Sequence, residues 1–272
     1  MKKIIILTAM LPVLLLATFL VSGCGVILVT ENGETETGET ETRQYDFSEF
    51  TRVDINRAFS YEIMQSDTYS ISITADSNLF DDIRVTKEGQ TLVIDMEFPR
   101  APWALFNVVD SNLKVIITMP QLDGLDSSGA TQGFVTSFNS TENLDVTVSG
   151  ASTVALEKIT AGDASFDVSG SSKVTGDIEA KNMELKVSGA STVQLKGSSG
   201  SMAADVSGSS NLKLSDLKVE NANVILSGAS NGTINLDGSL DVKLSGSSTL
   251  EYIGEPALGI MDITGASKLK GK

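Results

Sequence analysis

The sequence predicts an all-β fold: a parallel β-helix (solenoid) of about 19–20 residues per coil, preceded by a strand-rich N-terminal portion. A recurring glycine is the first reason. "VSGASTV" at 148–154 returns as "VSGSSKV" from Val168, "VSGASTV" from Val187 and "VSGSSNL" from Val206. Aligned on that glycine, Gly129, Gly150, Gly170, Gly189, Gly208, Gly228, Gly246 and Gly265 follow one another at steps of 21, 20, 19, 19, 20, 18 and 19 residues. A period near twenty marks stacked units that share one core. Alternation is the second reason. Two residues before the glycines stand Val148, Val168, Val187, Val206, Leu226, Leu244 and Ile263, and four before stand Val146, Phe166, Leu185, Ala204, Val224, Val242 and Met261. A spacing of two puts these side chains on one face of a strand, and no stretch of the repeat follows the 3.6-residue period of a helix. Composition is the third: 24 Gly, 5 Pro and 6% aromatic residues fit thin, repetitive β-structure better than a bulky globular core.

The first element lies outside that fold. Residues 1–23, "MKKIIILTAMLPVLLLATFLVSG", show two lysines, an apolar run and a small-residue end, the layout of a secretory signal peptide. The run is nearly long enough to span a bilayer as an anchor. "VSGC" at 21–24 decides for processing, because it resembles the bacterial lipobox, in which a small residue precedes the cysteine to be lipidated. Cys24 is the only cysteine. The expectation is cleavage before Cys24, a fatty-acyl anchor such as palmitate on it, and an extracytoplasmic lipoprotein at a bacterial membrane. Residues 24–44 then form a tether. Within it, "ENGETETGETET" (31–42) is acidic, has no apolar side chains to bury, and repels itself into an extended spacer.

Residues 45–272 are the folded domain. Up to 122 they lack the glycine repeat, yet "SYEIMQSDTYSISITAD" (60–76) and "QTLVIDMEF" (90–98) alternate cleanly, with "KEGQ" (87–90) as the turn between two such runs. "NLKVIITMP" (112–120) is expected to lead directly into the first coil at Leu122 and Leu125. "PRAPWALFN" (99–107) carries Trp103, the only tryptophan, and two of the five prolines. It reads as a loop or a cap over the end of the stack; an exposed Trp103 would instead mark a binding site.

The repeat region spans about 122–272. Four residues after the glycines stand Val154, Val174, Val193, Leu212, Leu250 and Leu269, with Gly232 the exception. By the same parity the glycine and the serine two beyond it point inward: Ser152, Ser172, Ser191, Ser210, Ser230, Ser248 and Ser267, with Thr131 in the first unit. Glycine plus serine reads as a bend between two strands of each coil. A side chain there would collide with its counterpart one coil away, about 4.8 Å distant. An inward hydroxyl can bond backbone freed by the bend or the next serine in the stack. A ladder of catalytic serines is the rival reading, but no histidine is present to activate one. Three residues before the glycine, Asp167, Lys186, Asp205, Ile225, Lys243 and Asp262 set opposite charges on adjacent strands, which favours this register over a slipped one. Eight coils at that spacing would span about 38 Å.

Composition also limits the chemistry. With no histidine and one cysteine, Ser-His-Asp and Cys-His nucleophile systems, His-ligated metal centres and intrachain disulfides are excluded, and no cofactor is expected. The net charge is −15, or −17 once Lys2 and Lys3 leave with the signal, a balance of 18 basic against 35 acidic residues. Nucleic acid and bare anionic lipid surfaces repel such a chain.

Several stretches resemble a bacterial family, the head GIN domain, labelled "putative auto-transporter adhesin". They are "FTRVDINRAFSYEIMQSDTYSISITADSNLFDDIRV" (50–85), "QTLVIDM" (90–96), "LKVIITMPQLDGLDSSGAT" (113–131) and the recurrent "VSGAS". The resemblance covers about residues 45–272. It implies a right-handed parallel β-helix in a secreted or lipid-anchored envelope protein, and it supplies no catalytic residues.

Two functions of different class follow. One is a non-catalytic, adhesin-like binding module of the cell envelope, lipid-anchored, with a glycan or an envelope protein as ligand. The other is a β-helix carbohydrate-active enzyme, a polysaccharide lyase or hydrolase, which needs carboxylate-bound calcium with Arg or Lys as base, or two carboxylates. The outward Asp positions are scattered among Ser, Lys and Ile, and the few basic residues do not converge in sequence. Binding without catalysis is therefore the expectation.

Overall fold

The computed structural model describes residues 39–97 and 113–272, within a compact unit that spans Thr37–Lys272. Apart from the 3-10 turn Ser77–Leu79, the regular structure of the described residues is entirely β. Strands β8 (Gly124–Ser127), β9 (Gln132–Thr136) and β10 (Leu144–Val148) begin the glycine coils. The long strands β11 (Thr153–Val168), β12 (Lys173–Val187), β13 (Thr192–Val206) and β14 (Asn211–Leu226) carry them on. The last coils use β15 (Asn231–Leu236), β16 (Ser239–Leu244), β17 (Thr249–Ile253), β18 (Ala257–Ile263) and β19 (Lys268–Gly271). All their pairings are parallel, each strand lying on its counterpart one coil earlier. The predicted register holds: Asp167 faces Lys186, Lys186 faces Asp205, and Lys243 faces Asp262. The fold is a β-solenoid.

Each coil has three sides. Along β11, Val154 and Leu156 are buried on the first, Ile159 and Ala161 on the second, and Ala164, Phe166 and Val168 on the third. Parity breaks at Glu157–Lys158 and again at Gly162–Asp163, so two corners exist besides the glycine corner. One of them sits eight residues after the glycine, and its backbone reaches positive φ at Ser137 (64°), Lys158 (56°), Gly197 (115°) and Gly254 (103°). No single residue type fills that corner, so no repeated letter announced it in the sequence. Gly232, the gap in the inward column, leaves space that leucines occupy. A Cβ there would lie 2.9 Å from Leu250 Cδ1 and 3.3 Å from Leu226 Cδ2.

The N-terminal portion belongs to the same stack. Strands β2 (Arg52–Ile55) and β3 (Ser60–Gln65) form a coil of their own, on which β8 and β9 lie in parallel. On its other edge, β6 (Thr91–Met96) pairs with β2 and β7 (Lys114–Met119) with β3. The strand at 112–120 therefore does not feed a neighbouring coil, as expected from its place in sequence. The chain returns across the 52–65 coil to reach β8. Backbone pairing, which sequence order does not encode, decides this.

Antiparallel strands close this end. Strand β4 (Ser70–Asp76) lies on β7, β1 (Thr40–Tyr45) on β4, and β5 (Ile83–Glu88) on β6 through the turn at Gly89. Residues 40–44 are thus strand and not tether. An edge strand needs only backbone partners and a few covering side chains. Tyr45 packs against the core, and the Arg43 guanidinium lies 4.2 Å above the Phe80 ring. The expected signal peptide (1–23), Cys24 and Trp103 lie outside the described residues.

Candidate functional site

The repeated glycines sit at solvent-exposed corners, with φ between 71° and 88°, rather than pointing inward. Their missing side chain faces the corner one coil earlier. A Cβ on Gly150 would stand 2.4 Å from the Gly129 carbonyl oxygen, and one on Gly189 would stand 2.3 Å from that of Gly170. That spacing lets the Ala151 N–H donate to Gly129 O at 2.7 Å and the Ala190 N–H to Gly170 O at 2.8 Å. The serines two residues on are buried from Ser152 to Ser248, while Ser267, in the last coil, is half-buried. Ser172, Ser191 and Ser210 each donate to a corner glycine carbonyl at 3.4 Å, and Ser230 donates to Ser227 O at 2.9 Å. These hydroxyls serve the bend.

The two sides flanking the glycine corner differ in charge. On the side that precedes it, Asp54 lies in register with Asp126, and further along run Asp167, Lys186 and Asp205. Partial burial and then the Asp126 carboxylate push the Asp54 carboxyl above its ordinary range. Lys186 bonds Glu184 of its own strand at 2.7 Å, and that contact holds its ammonium above the usual lysine value. A groove of about 400 Å³ on this side is bordered by a ladder whose polar groups hold one another. Asn182 donates to Asp163 at 2.7 Å, Ser201 donates to Asn182 at 2.5 Å, and the Asp163 N–H donates to Asn143 at 3.0 Å.

The side that follows the corner is different. Its first outward column reads, in register, Lys114, Ser60, Gln132, Thr153, Lys173, Thr192, Asn211, Asn231, Thr249 and Lys268. No carboxylate interrupts it, although the chain carries 35. Among the described residues Lys114, Lys173, Lys213 and Lys268 form no ion pair, while Lys196 binds Asp177 at 3.1 Å and Lys270 binds Glu251 at 3.6 Å.

On this side lies an open groove of about 600 Å³ lined by Ser60, Glu62, Lys114, Gln132, Phe134 and Thr153. Phe134 is 37% exposed and is the only aromatic at an outward position of the glycine coils. The floor is fixed by the coil below. The Tyr61 ring fills the space beside Gly133, where a Cβ would stand 2.1 Å from Tyr61 Cζ. The Tyr61 hydroxyl donates to Ser127 Oγ at 3.0 Å, and Ser127 and Thr131 share a hydrogen bond of 2.5 Å. Burial raises the Tyr61 pKa, only partly offset by Ser127, so the phenol stays neutral. An apolar ring face edged by an amide, hydroxyls and an ammonium can stack on a sugar ring and bond its hydroxyls. Sequence reading missed Phe134 because it followed the inward columns. An aromatic five residues after a repeat glycine was the available signal.

Among the described residues no group of three or more His, Cys, Asp or Glu is placed to hold a metal ion, and no helix is long and apolar enough to cross a membrane. A family profile described as "Putative auto-transporter adhesin, head GIN domain" matches residues 49–256. Among solved structures, a "putative adhesin" from Parabacteroides merdae superposes with a TM-score of 0.79 at 18% identity. A "putative adhesin" from Parabacteroides distasonis gives 0.77 at 18%, and a "putative lipid binding protein" from the same species gives 0.74 at 20%. Each match covers 86% of this chain and 97% of the other. At these identities the likeness speaks for the fold. No curated protein matches the chain.

Proposed function

Because the chain belongs to the family described as "Putative auto-transporter adhesin, head GIN domain", we propose that it is an adhesin-like binding module of the bacterial envelope, non-catalytic and held to the membrane by a lipid on Cys24. Its ligand on this reading is an extended glycan lying across the coils, with one sugar ring on Phe134. The observation that carries the reading is the carboxylate-free column beside that exposed ring, on a chain of net charge −15. The charge of the whole disfavours polyanions, but this side sets unpaired lysines among amides and hydroxyls, so neutral sugars and isolated acidic ones both fit. Regularly spaced weak contacts then add along the stack.

The enzyme alternative fares less well at this groove. Its lining supplies one carboxylate, Glu62, where glycoside hydrolysis uses two.

The test is a glycan array, with and without calcium, probed with residues 24–272 carrying Cys24→Ser. Phe134→Ala should weaken binding at least about tenfold, the value of roughly 1.4 kcal/mol, without loss of fold. Binding that ignores this substitution would remove the groove from the proposal. Product release at enzymatic rates, abolished by Glu62→Gln, would replace binding by catalysis. For the anchor, Cys24→Ser in the whole chain should end labelling by a palmitate analogue, and persistent labelling would rule the anchor out.

A further inference from the structure

The two ends of the solenoid are finished differently. At the N-terminal end antiparallel β1, β4 and β5 lie across the stack, and residues 39–97 leave no large hydrophobic side chain exposed. At the other end the last coil continues the inner columns, and among the described residues nothing is laid upon it. Leu258 stands over Leu240, Ile263 over Leu244 and Leu269 over Leu250. The lower member of each pair is fully buried, whereas Leu258 is 50% exposed and Ile263 43%. Ile260, displaced outward where the β16–β18 register shifts, is 71% exposed. Both β18 and β19 pair along one edge only. Exposed apolar side chains and an open strand edge therefore coincide.

We propose that this end is an interface between two copies of the chain, joined end to end about a two-fold axis. Three observations select a second copy presented by the same end. First, among the described residues no other surface offers a comparable apolar complement, and a head-to-tail stack would set the apolar coil against the charged cap. Second, charge is graded along the axis. Residues 39–97 hold 13 acidic against 5 basic residues, while the last coil sets Glu255 and Asp262 against Lys268, Lys270 and Lys272. This end alone can meet its copy without bringing the negative charge of the chain together. Lys270 and Lys272 also bond Glu251 at 3.6 and 2.6 Å, which holds those ammonium groups on the flank. Third, the size suffices. A coil near 19 residues long traces an outline of about 60 Å at about 3.3 Å per residue. Such an outline encloses roughly 200–300 Å², and the outward side chains widen each face, so two such ends would bury on the order of 500–1,000 Å² in total, the size of a weak, reversible interface. Two-fold contact closes after one partner and covers an edge that otherwise templates aggregation.

The test is sedimentation velocity over a wide concentration range on residues 24–272 with Cys24→Ser, since the crystallised relatives consist of little beyond this unit. A monomer–dimer equilibrium is expected. Ile260→Asp should raise its dissociation constant at least about tenfold, with an unchanged circular dichroism spectrum because Ile260 packs little in the monomer. Ile225→Asp, on a flank of the stack, should leave the equilibrium as it was. A monomer at every concentration, growth past the dimer, or a dimer insensitive to Ile260→Asp would each overturn the proposal.

Discussion

Two corners of the solenoid have the same backbone and different residues. Arg57, in the coil at 52–65, and Gly150, in the repeat, both have φ of 77°. Beneath Gly150 lies the Gly129 corner, whose carbonyl oxygen would be 2.4 Å from an added Cβ. Among the described residues Arg57 is the lowest corner of that column, with Gly129 stacked upon it. It keeps a full side chain, with Nε 3.2 Å from Asp95. Positive φ costs an ordinary residue about 1–2 kcal/mol, which the fold accepts at Arg57 and again at Ser137 and Lys158. What demands glycine at the repeat corner is the carbonyl oxygen of the corner underneath, 2.3–2.6 Å from where a Cβ would stand; at the other corner Lys158 stacks on Ser137 and keeps its side chain. The outer columns differ in the same sense. The repeat sets Lys186 between Asp167 and Asp205, whereas the junction with the N-terminal coil stacks Asp54 on Asp126.

The largest effect should come from giving a repeat corner a side chain. Gly189→Ala adds the φ strain of about 1–2 kcal/mol to a clash with the Gly170 carbonyl. Backbone cannot yield there as a flexible side chain would, so overpacking adds about 1–3 kcal/mol. A loss of about 2–5 kcal/mol in urea denaturation is expected. The converse change, Arg57→Gly, should stay within about 1 kcal/mol of the parent. Relief of φ strain is offset by glycine's greater freedom when unfolded and by the loss of a half-exposed ion pair. Equal losses at the two corners would end the distinction drawn between them.

A smaller, pH-dependent effect tests the junction. The raised pKa of Asp54 means that the folded state holds its proton more tightly than the unfolded state. Its ionisation therefore destabilises the fold as pH rises through the folded value. Asp54→Asn should stabilise the chain at neutral pH, and the gain should vanish in acid below the ordinary aspartate value of 3.8. Thermal melts at both pH values check this. A gain that persists in acid would assign the effect to something other than the Asp126 carboxylate and burial.

Much of the fold was readable because stacking repeats a local demand. The inward columns Val148 to Leu244 and the register of Asp167, Lys186 and Asp205 follow from a period of two inside a period near twenty. The second corner was not readable, because Ser137, Lys158 and Gly197 satisfy the same backbone need with different letters. The groove was half-hidden for another reason. Phe134 is visible as an outward aromatic, but the Tyr61 ring that shapes its floor comes from 73 positions earlier in the chain.

The sequence by itself determined the solenoid, its coil length and the side of each strand that faces the core, because those depend on neighbours along the chain and on the counterpart one repeat away. Only the tertiary structure decided where the N-terminal strands stack, that Arg57 is the lowest described corner of the glycine column, and that the first outward column after that corner is free of carboxylates. It also decided which end is capped and which is left open. Each of these depends on backbone pairing between segments far apart in the chain, as when the 52–65 coil is inserted between β6–β7 and β8–β9. Hydrogen bonds between main chains carry no residue identity, so the sequence does not record their choice of partner.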